Sequence, residues 1–250
     1  MDTTLDTTLV RLGIPAIALA LAALFVAATW RTGVGLAPAA RRRRTLGAAA
    51  GVTVWMVAMA VAALSGLLGR FEMRPPPMII WFASMVALTL ALAWSPFGRR
   101  FAETLPFAAL IGFQAFRLPL ELVMHRAAVA GIMPNVMSFT GYNFDIITGV
   151  TALPVAWLAW RGSAPRWLLV LWNLTGQVLL LIVATVALVA SPIFRAFGDG
   201  QLNVWVTEFP YVWIAVMVAA ALFGHVVTLR KLLAERRARA PAAAAAPATS

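Results

Sequence analysis

Four polar side chains interrupt an apolar stretch near the middle of the chain. They are Gln114, Arg117, Glu121 and His125. At about 100° per residue, the four fall within roughly 80° of one another on a helix, so they form one polar stripe. Ionisable groups inside a membrane are costly and are functional candidates by default. The stripe is therefore the primary candidate site.

The chemistry of the stripe depends on Arg117 and Glu121. They are i,i+4 neighbours and are expected to form an ion pair on one helix face. Pro119 between them removes a backbone hydrogen bond and is expected to kink the helix. Arg117 is suited to engaging an anionic group, and Glu121 to balancing charge or relaying protons. A structural alternative is that the arginine–glutamate pair only locks neighbouring helices together.

Further polar residues are expected to approach the stripe. Asn143 and Asp145 begin the fifth apolar segment, where Asp145 would either cap the helix or meet Arg126 or Arg117. Asn173, in the sixth segment, is expected to form an interhelical hydrogen bond, with Gln114 or His225 as its partner. A second long connection, 190–210, flanks the stripe with polar and aromatic residues. The candidate ligand-binding residues are Gln114, Arg117, Glu121, His125, Asn143, Asp145, Asn173 and His225.

The composition is that of a protein with several membrane spans. Hydrophobic residues make up 62% of the 250 residues and charged residues 12%, and the mean hydropathy is +0.87. A soluble domain is about half apolar and about a quarter charged. Seven apolar segments approach or exceed the length needed to cross a bilayer, about 20 helical residues. They are 12–30, 45–68, 78–94, 106–124, 143–160, 167–189 and 211–229.

The predicted fold is therefore all-α, a bundle of seven transmembrane helices within residues 12–232. Residues 1–11 are interpreted as a short outer leader. The tail, 233–250, is basic and then rich in alanine and proline, so we expect it to be disordered. The first segment could instead be a cleaved signal peptide, whose apolar region is usually about 7–15 residues behind a basic start. Its greater length and the acidic Asp2 and Asp6 favour retention as a span.

The basic residues predict the orientation. With seven spans, five of the 20 lysines and arginines lie on the side of the N-terminus, and fourteen lie on the other side. Arg117 is the remaining one, inside a span. The positive-inside rule then places the N-terminus outside and the C-terminus in the cytoplasm of a bacterial inner membrane. In this orientation the stripe runs from the outer interface at His125 towards the middle of the bilayer.

Several classes of protein are excluded or unsupported. The chain has no cysteine, and His125 and His225 fall on opposite sides of the membrane, so no metal site is predicted. The single lysine, Lys231, lies beyond the last segment, which excludes a retinal Schiff base within the bundle. Topology explains the net charge of +11, so no nucleic-acid partner is expected. No particular cofactor is indicated.

Four motifs lie in the stretch from about Arg74 to Leu232, with Pro134, Met137, Trp172–Asn173 and His225 in addition. They are RLPLELVMHR at 117–126, GYNFDIITG at 141–149, SPIFRAF at 191–197 and FPYVW at 209–213. Through these residues the chain resembles a family of multi-pass bacterial membrane proteins without an established activity. Thr140 and Ala215 depart from the pattern, at positions where an acidic residue and a proline are expected. The resemblance implies about seven helices and no specific chemistry.

Three functions remain open on the sequence. The favoured hypothesis is binding or translocation of a small polar or amphiphilic molecule through an outward-facing polar pocket. A second is a membrane enzyme that uses Glu121 or His125 as general acid or base on a lipid-like substrate. A third is a non-catalytic accessory or assembly subunit, whose stripe docks a helix of a membrane-protein partner. Contact with the lipid bilayer is common to all three.

Overall fold

The protein is all-helical over residues 3–244, the part of the chain that the computed structural model describes. These residues contain no β-strand, and their α-helices are joined by short turns of 3₁₀-helix and irregular loops. The helices are α1 (Thr3–Arg31), α2 (Pro38–Leu64), α3 (Pro77–Trp94), α4 (Pro96–Thr104), α5 (Phe107–Gly112), α6 (Arg117–Val129), α7 (Ile146–Trp160), α8 (Arg166–Val189) and α9 (Ile214–Ala244). A 3₁₀ turn, Phe113–Phe116, joins α5 to α6, so the two helices continue one another through Phe107–Val129.

Six helical segments in the described residues are long and apolar enough to cross a membrane. They comprise α1, α2, α3, the α5–α6 segment, α8 and a segment, Tyr211–Ala238, that includes most of α9. This confirms an all-α fold and supports a multi-pass membrane protein. The remaining predicted span is α7, which is apolar but only 15 residues long. At 1.5 Å per residue it covers about 23 Å of a hydrocarbon core about 30 Å thick.

The helices at both ends of the chain extend beyond the apolar segments. Helix α1 begins at Thr3 and so includes most of the residues predicted as a leader. Helix α9 continues to Ala244, through the first part of the tail for which the composition predicts disorder. Alanine and arginine are both strong helix formers, which explains the extension of α9. Residues 1–2 and 245–250 lie outside the described part of the chain.

Basic side chains close the helix ends on the arginine-rich side of the bundle. Arg44 donates to the carbonyl of Thr29 in the last turn of α1, at 3.3 Å. Arg230 donates to the carbonyls of Ala93 and Ser95 at the end of α3. Lys231 donates to Ala102 near the end of α4, at 3.0 Å. The last carbonyls of a helix lack intrahelical partners and carry partial negative charge, so these cations satisfy them.

Helix α9 lies at the centre of the bundle. It packs against α1, α3, α4, α5 and α8. Of the residues in its most apolar stretch, 61% are buried, against 11% of those in α3. Leucine, valine and tryptophan side chains are exposed along the outer helices, as expected for helices whose backbone groups are satisfied internally and whose surfaces meet lipid. This arrangement brings α9 against the polar stripe.

Candidate functional site

Three members of the polar stripe are buried in the bundle. Gln114 lies in the 3₁₀ turn between α5 and α6, while Arg117 and Glu121 occupy the first turns of α6. All three side chains are at most 2% exposed. His125 is only half-buried and belongs to a different environment. Its ring stacks on Phe139, and Nδ1 lies 3.2 Å from Ser138 Oγ in the following loop.

The ion pair predicted between Arg117 and Glu121 is wrong. Arg117 Nη1 donates instead to Asp145 Oδ1, at 2.7 Å, and this pair is nearly inaccessible to solvent. Glu121 Oε2 accepts a hydrogen bond from Asn143 Nδ2, at 2.8 Å. Both partners precede α7, so the start of that helix supplies a counter-charge for Arg117 and a hydrogen-bond donor for Glu121. The i,i+4 rule describes an isolated helix, and here tertiary contacts supply closer partners.

Asp145 occupies the N-cap position of α7 but does not cap the helix with its side chain. Its carboxylate accepts from Arg117 and from Thr148 Oγ1, the latter at 3.3 Å. The other predicted partner, Arg126, lies 3.7 Å from Asp6 on α1. The helical position still places the negative charge of Asp145 at the positive end of α7. Asp145 therefore joins the site instead of only ending a helix.

A glycine on α7 permits this arrangement. At Gly149, a Cβ atom would lie 2.5 Å from the backbone nitrogen of Leu118 and 3.0 Å from the carbonyl carbon of Arg117. Real Cβ atoms do not approach a backbone this closely, so α7 touches the start of α6 only because this position lacks a side chain. The contact brings Asp145, one turn earlier, within reach of Arg117. Sequence reasoning missed the role of Gly149, although a glycine within an apolar helix was a usable signal.

A second buried polar group surrounds His225 on α9. Its Nδ1 lies 2.9 Å from Asn173 Oδ1 on α8, and the ring packs 5.6 Å from that of Trp172. Gly176 leaves room for the imidazole, because a Cβ atom there would lie 2.3 Å from His225 Cε1. The structure thus pairs Asn173 with His225. Gln114 instead donates to the carbonyl of Ala221 on α9, at 3.1 Å.

A cavity of about 130 Å³ lies beside the ion pair. Its polar wall consists of Arg117, Glu121, Asn143 and Asp145. Residues of the α8–α9 connection, including Asn203 and Trp205, also line the cavity. The rest of the wall is mostly apolar and comes largely from α3, α6, α8 and α9. This apolar part includes Met78, Phe82, Leu120, Met124, Leu180, Val183, Ala184, Met217, Val218 and Ala221.

Several polar atoms in the wall lack a hydrogen-bond partner among the described residues. Arg117 uses Nη1 for Asp145, whereas its Nε and Nη2 are buried without a partner. In the α8–α9 connection, Asn203 Oδ1 and Trp205 Nε1 are also buried and unpaired. A buried polar group without a partner costs about 1–3 kcal/mol, and more if it is charged. These residues of the wall therefore contain three unpaired donors and one unpaired acceptor that a polar ligand group or water would satisfy.

The structure places four of the eight candidate residues in the wall of the cavity. Arg117, Glu121, Asn143 and Asp145 line it, whereas Gln114, one turn before Arg117, donates to α9 and is not part of the lining. His125, on α6, contacts Ser138 in the following loop. Asn173 and His225 form a separate buried pair. No group of three or more potential metal ligands occurs within residues 3–244. The loop residues Asn203 and Trp205 join the site from 190–210.

Comparison with protein-family models, with curated proteins and with solved structures finds no match to this chain. The six apolar helices are compatible with a multi-pass membrane protein, the class that the sequence resemblance implies, and they identify no family.

Proposed function

We propose that this protein binds a small amphiphilic molecule in the cavity beside Arg117 and passes it between the membrane and the outer surface. The main support is the free edge of the Arg117 guanidinium. Nε and Nη2 are two parallel donors, both buried and unpartnered. Parallel donors of this kind match the two oxygens of a carboxylate or of one face of a phosphate. A headgroup with two acceptor oxygens is therefore the best chemical match.

The apolar part of the wall supports a ligand with a short hydrocarbon tail. Away from the polar residues, side chains from α3, α6, α8 and α9 give the cavity an almost entirely apolar surface. Pockets of this kind take up apolar groups and orient them through a few polar contacts. The cavity is small, about 130 Å³, close to the volume of an engineered cavity that holds benzene. It therefore has room for the headgroup and the first carbons of a single chain, the rest of which would lie outside the cavity, and it excludes a two-chain phospholipid.

The proposed orientation follows from the distribution of basic residues. The N-terminus lies outside, the C-terminus lies in the cytoplasm of a bacterial inner membrane, and α7 completes seven spans. The cavity then opens towards the outer side, where the loops 131–145 and 190–210 lie. Reporters fused after Ser250 check this orientation. A cytoplasm-dependent reporter is expected to be active, whereas activity of only a periplasm-dependent reporter would contradict the orientation.

A non-catalytic accessory role is the second candidate. It is favoured by the Arg117–Asp145 pair, which already satisfies both charges within the chain and connects α6 to α7. Such a pair would serve a structural subunit equally well. A membrane enzyme receives less support, because His125 does not line the cavity and Glu121 alone would have to provide the acid and base chemistry.

Photolabelling with a simple amphiphile tests whether the cavity binds a ligand. The probe is decanoic acid with a diazirine on a carbon close to its carboxyl group, added to purified protein in detergent. We expect labelling that unlabelled decanoic acid suppresses and that Arg117→Gln lowers by about tenfold, as for the loss of about 1.4 kcal/mol of binding energy. Arg126→Gln, a half-exposed arginine on the same helix, is the matched control and should label like the wild type.

A second variant keeps the labelling test informative even if Arg117→Gln fails to fold. Ala184→Phe would fill the apolar part of the cavity and leave the ion pair intact, and it is expected to lose labelling as well. Thr185→Phe adds the same ring at the adjacent, exposed position and should have no effect. Undiminished labelling in both Arg117→Gln and Ala184→Phe would exclude the cavity as the binding site and leave the accessory role.

A further inference from the structure

A second, larger cleft lies at the arginine-rich end of the bundle. It consists of two adjoining cavities of about 720 and 470 Å³ between α1, α2, α3 and α9. Both share a wall that includes Phe25, Val52, Trp55 and Leu92. No residue that lines them also lines the cavity beside Arg117. The cleft is therefore a separate feature of the molecule.

The cleft exists because α2 stands away from α3 along part of its length. Helix α2 packs on α1 and on the 3₁₀ turn before α9, where Trp213 Nε1 donates to Met56 O at 3.0 Å. Towards its N-terminus, α2 presents Gly47 and Gly51 to the cleft, and a Cβ atom at either glycine would meet nothing within 4 Å. The walls are apolar and the small residues leave space, so the cleft has room for hydrocarbon chains.

The end of the cleft is positively charged. Arg43 and Arg44 line the larger cavity and Arg31 lines the smaller one. Arg44 Nη1 donates a hydrogen bond to Thr32 Oγ1, at 2.9 Å, and the guanidinium stacks over the ring of Phe97. Arg31 and Arg43 are exposed, and none of the ion pairs among the described side chains involves either of them. Two arginines are thus available to an anion at the point where the apolar walls end.

We propose that this cleft binds one anionic glycerophospholipid from the surrounding bilayer. Its two acyl chains occupy the two cavities, and its phosphate lies between Arg31 and Arg43. Apolar walls that end in unpaired basic residues match a molecule with hydrocarbon chains and an anionic headgroup. Basic pockets between transmembrane helices bind anionic headgroups on this principle. The phospholipid would also fill the gap between α2 and α3 and so fix α2 against the bundle.

Native mass spectrometry of the purified full-length chain tests this site with defined lipids. The probe is phosphatidylglycerol, compared with phosphatidylcholine of the same acyl chains. We expect one phosphatidylglycerol to be retained at least tenfold more strongly than phosphatidylcholine. Arg43→Ala should weaken the retention of phosphatidylglycerol by about fivefold, the effect of removing one basic group near the surface. Arg42→Ala, an exposed neighbour in the same run, should leave it unchanged.

A steric variant tests the acyl chains independently of charge. Gly51→Leu would fill the larger cavity, where the new side chain meets no existing atom, and should abolish the retained phospholipid. Ala50→Leu adds the same side chain to an exposed position of α2 and should have no effect. The proposal is overturned if both lipids bind equally, if Arg42→Ala weakens binding as much as Arg43→Ala, if Gly51→Leu retains the lipid, or if inorganic phosphate displaces it.

Discussion

Arg117→Ala is expected to lower the free energy of unfolding by about 3–5 kcal/mol. The reason is the carboxylate that remains. Asp145 is 5% exposed and its charge is balanced by Arg117 Nη1 at 2.7 Å. Removal of the arginine leaves a negative charge in an environment that solvates it poorly. Unfolding of the purified protein by dodecyl sulfate, followed by circular dichroism, measures the loss.

A double-mutant cycle separates the pair from its surroundings. Asp145→Asn should also be strongly destabilising, because Arg117 then carries an unbalanced buried charge. The combination Arg117→Gln with Asp145→Asn removes both charges and should recover part of the loss. Arg126→Ala is the control, since its pair with Asp6 is longer, at 3.7 Å, and half-exposed. That variant should change stability by no more than about 1 kcal/mol.

Exchange of the two charges distinguishes a structural lock from a binding site. Arg117→Asp with Asp145→Arg should restore much of the stability, whereas Arg117→Glu with Glu121→Arg should not, because Glu121 is not the partner. If the first exchange also restores labelling by the decanoic acid probe, the pair acts only as a lock. A loss below about 1 kcal/mol in Arg117→Ala would contradict the buried ion pair itself.

Glu121 is expected to make ligand binding depend on pH. The polar wall contains one positive and two negative groups, Arg117, Glu121 and Asp145. A bound carboxylate would place a third negative charge in the same space, and two neighbouring carboxylates avoid this by sharing one proton. Once Glu121 has ionised in the unliganded protein, binding must therefore take up a proton. By linkage, the affinity for decanoate should then fall by up to about tenfold for each unit by which the pH rises.

Glu121→Gln removes the need to take up a proton when the ligand binds. The amide is uncharged at every pH and can still contact Asn143, so the variant should bind decanoate with nearly constant affinity. Competition of decanoate with the photoprobe, measured from about pH 6 to about pH 9, covers a range in which the free carboxylic acid is ionised. A pH dependence in Glu121→Gln as steep as that of the wild type would exclude Glu121 as the group that takes up the proton.

Hydrophobic segments were the most predictable part of this protein. Each of the seven apolar segments corresponds to a helix, because a run of apolar residues in lipid must satisfy its backbone groups internally. The helix ends were less predictable. Prolines mark the first turns of α2, α3 and α4, but α1 and α9 continue into polar sequence. In the extension of α9, helix propensity replaces hydropathy as the signal.

The partners within the site were harder to predict than its members. The residue types and spacing correctly marked Arg117 and Glu121 as buried polar groups, and contact with Arg117 was one of two roles considered for Asp145. The choice between Glu121 and Asp145 as the partner of Arg117 depends on how closely α7 approaches α6. That distance is set by Gly149, a single missing side chain, and periodicity along one helix carries no information about it.

The most direct test of ligand binding beside Arg117 is to identify the residues to which the photoprobe cross-links. Peptide mapping of the cross-linked protein compares cavity-lining positions with lipid-facing positions on the same helices. We expect label on lining residues such as Met124 and Val183. Label confined to exposed neighbours such as Leu122 and Leu181 would show a probe dissolved in detergent around the protein, and would contradict a ligand site in the cavity.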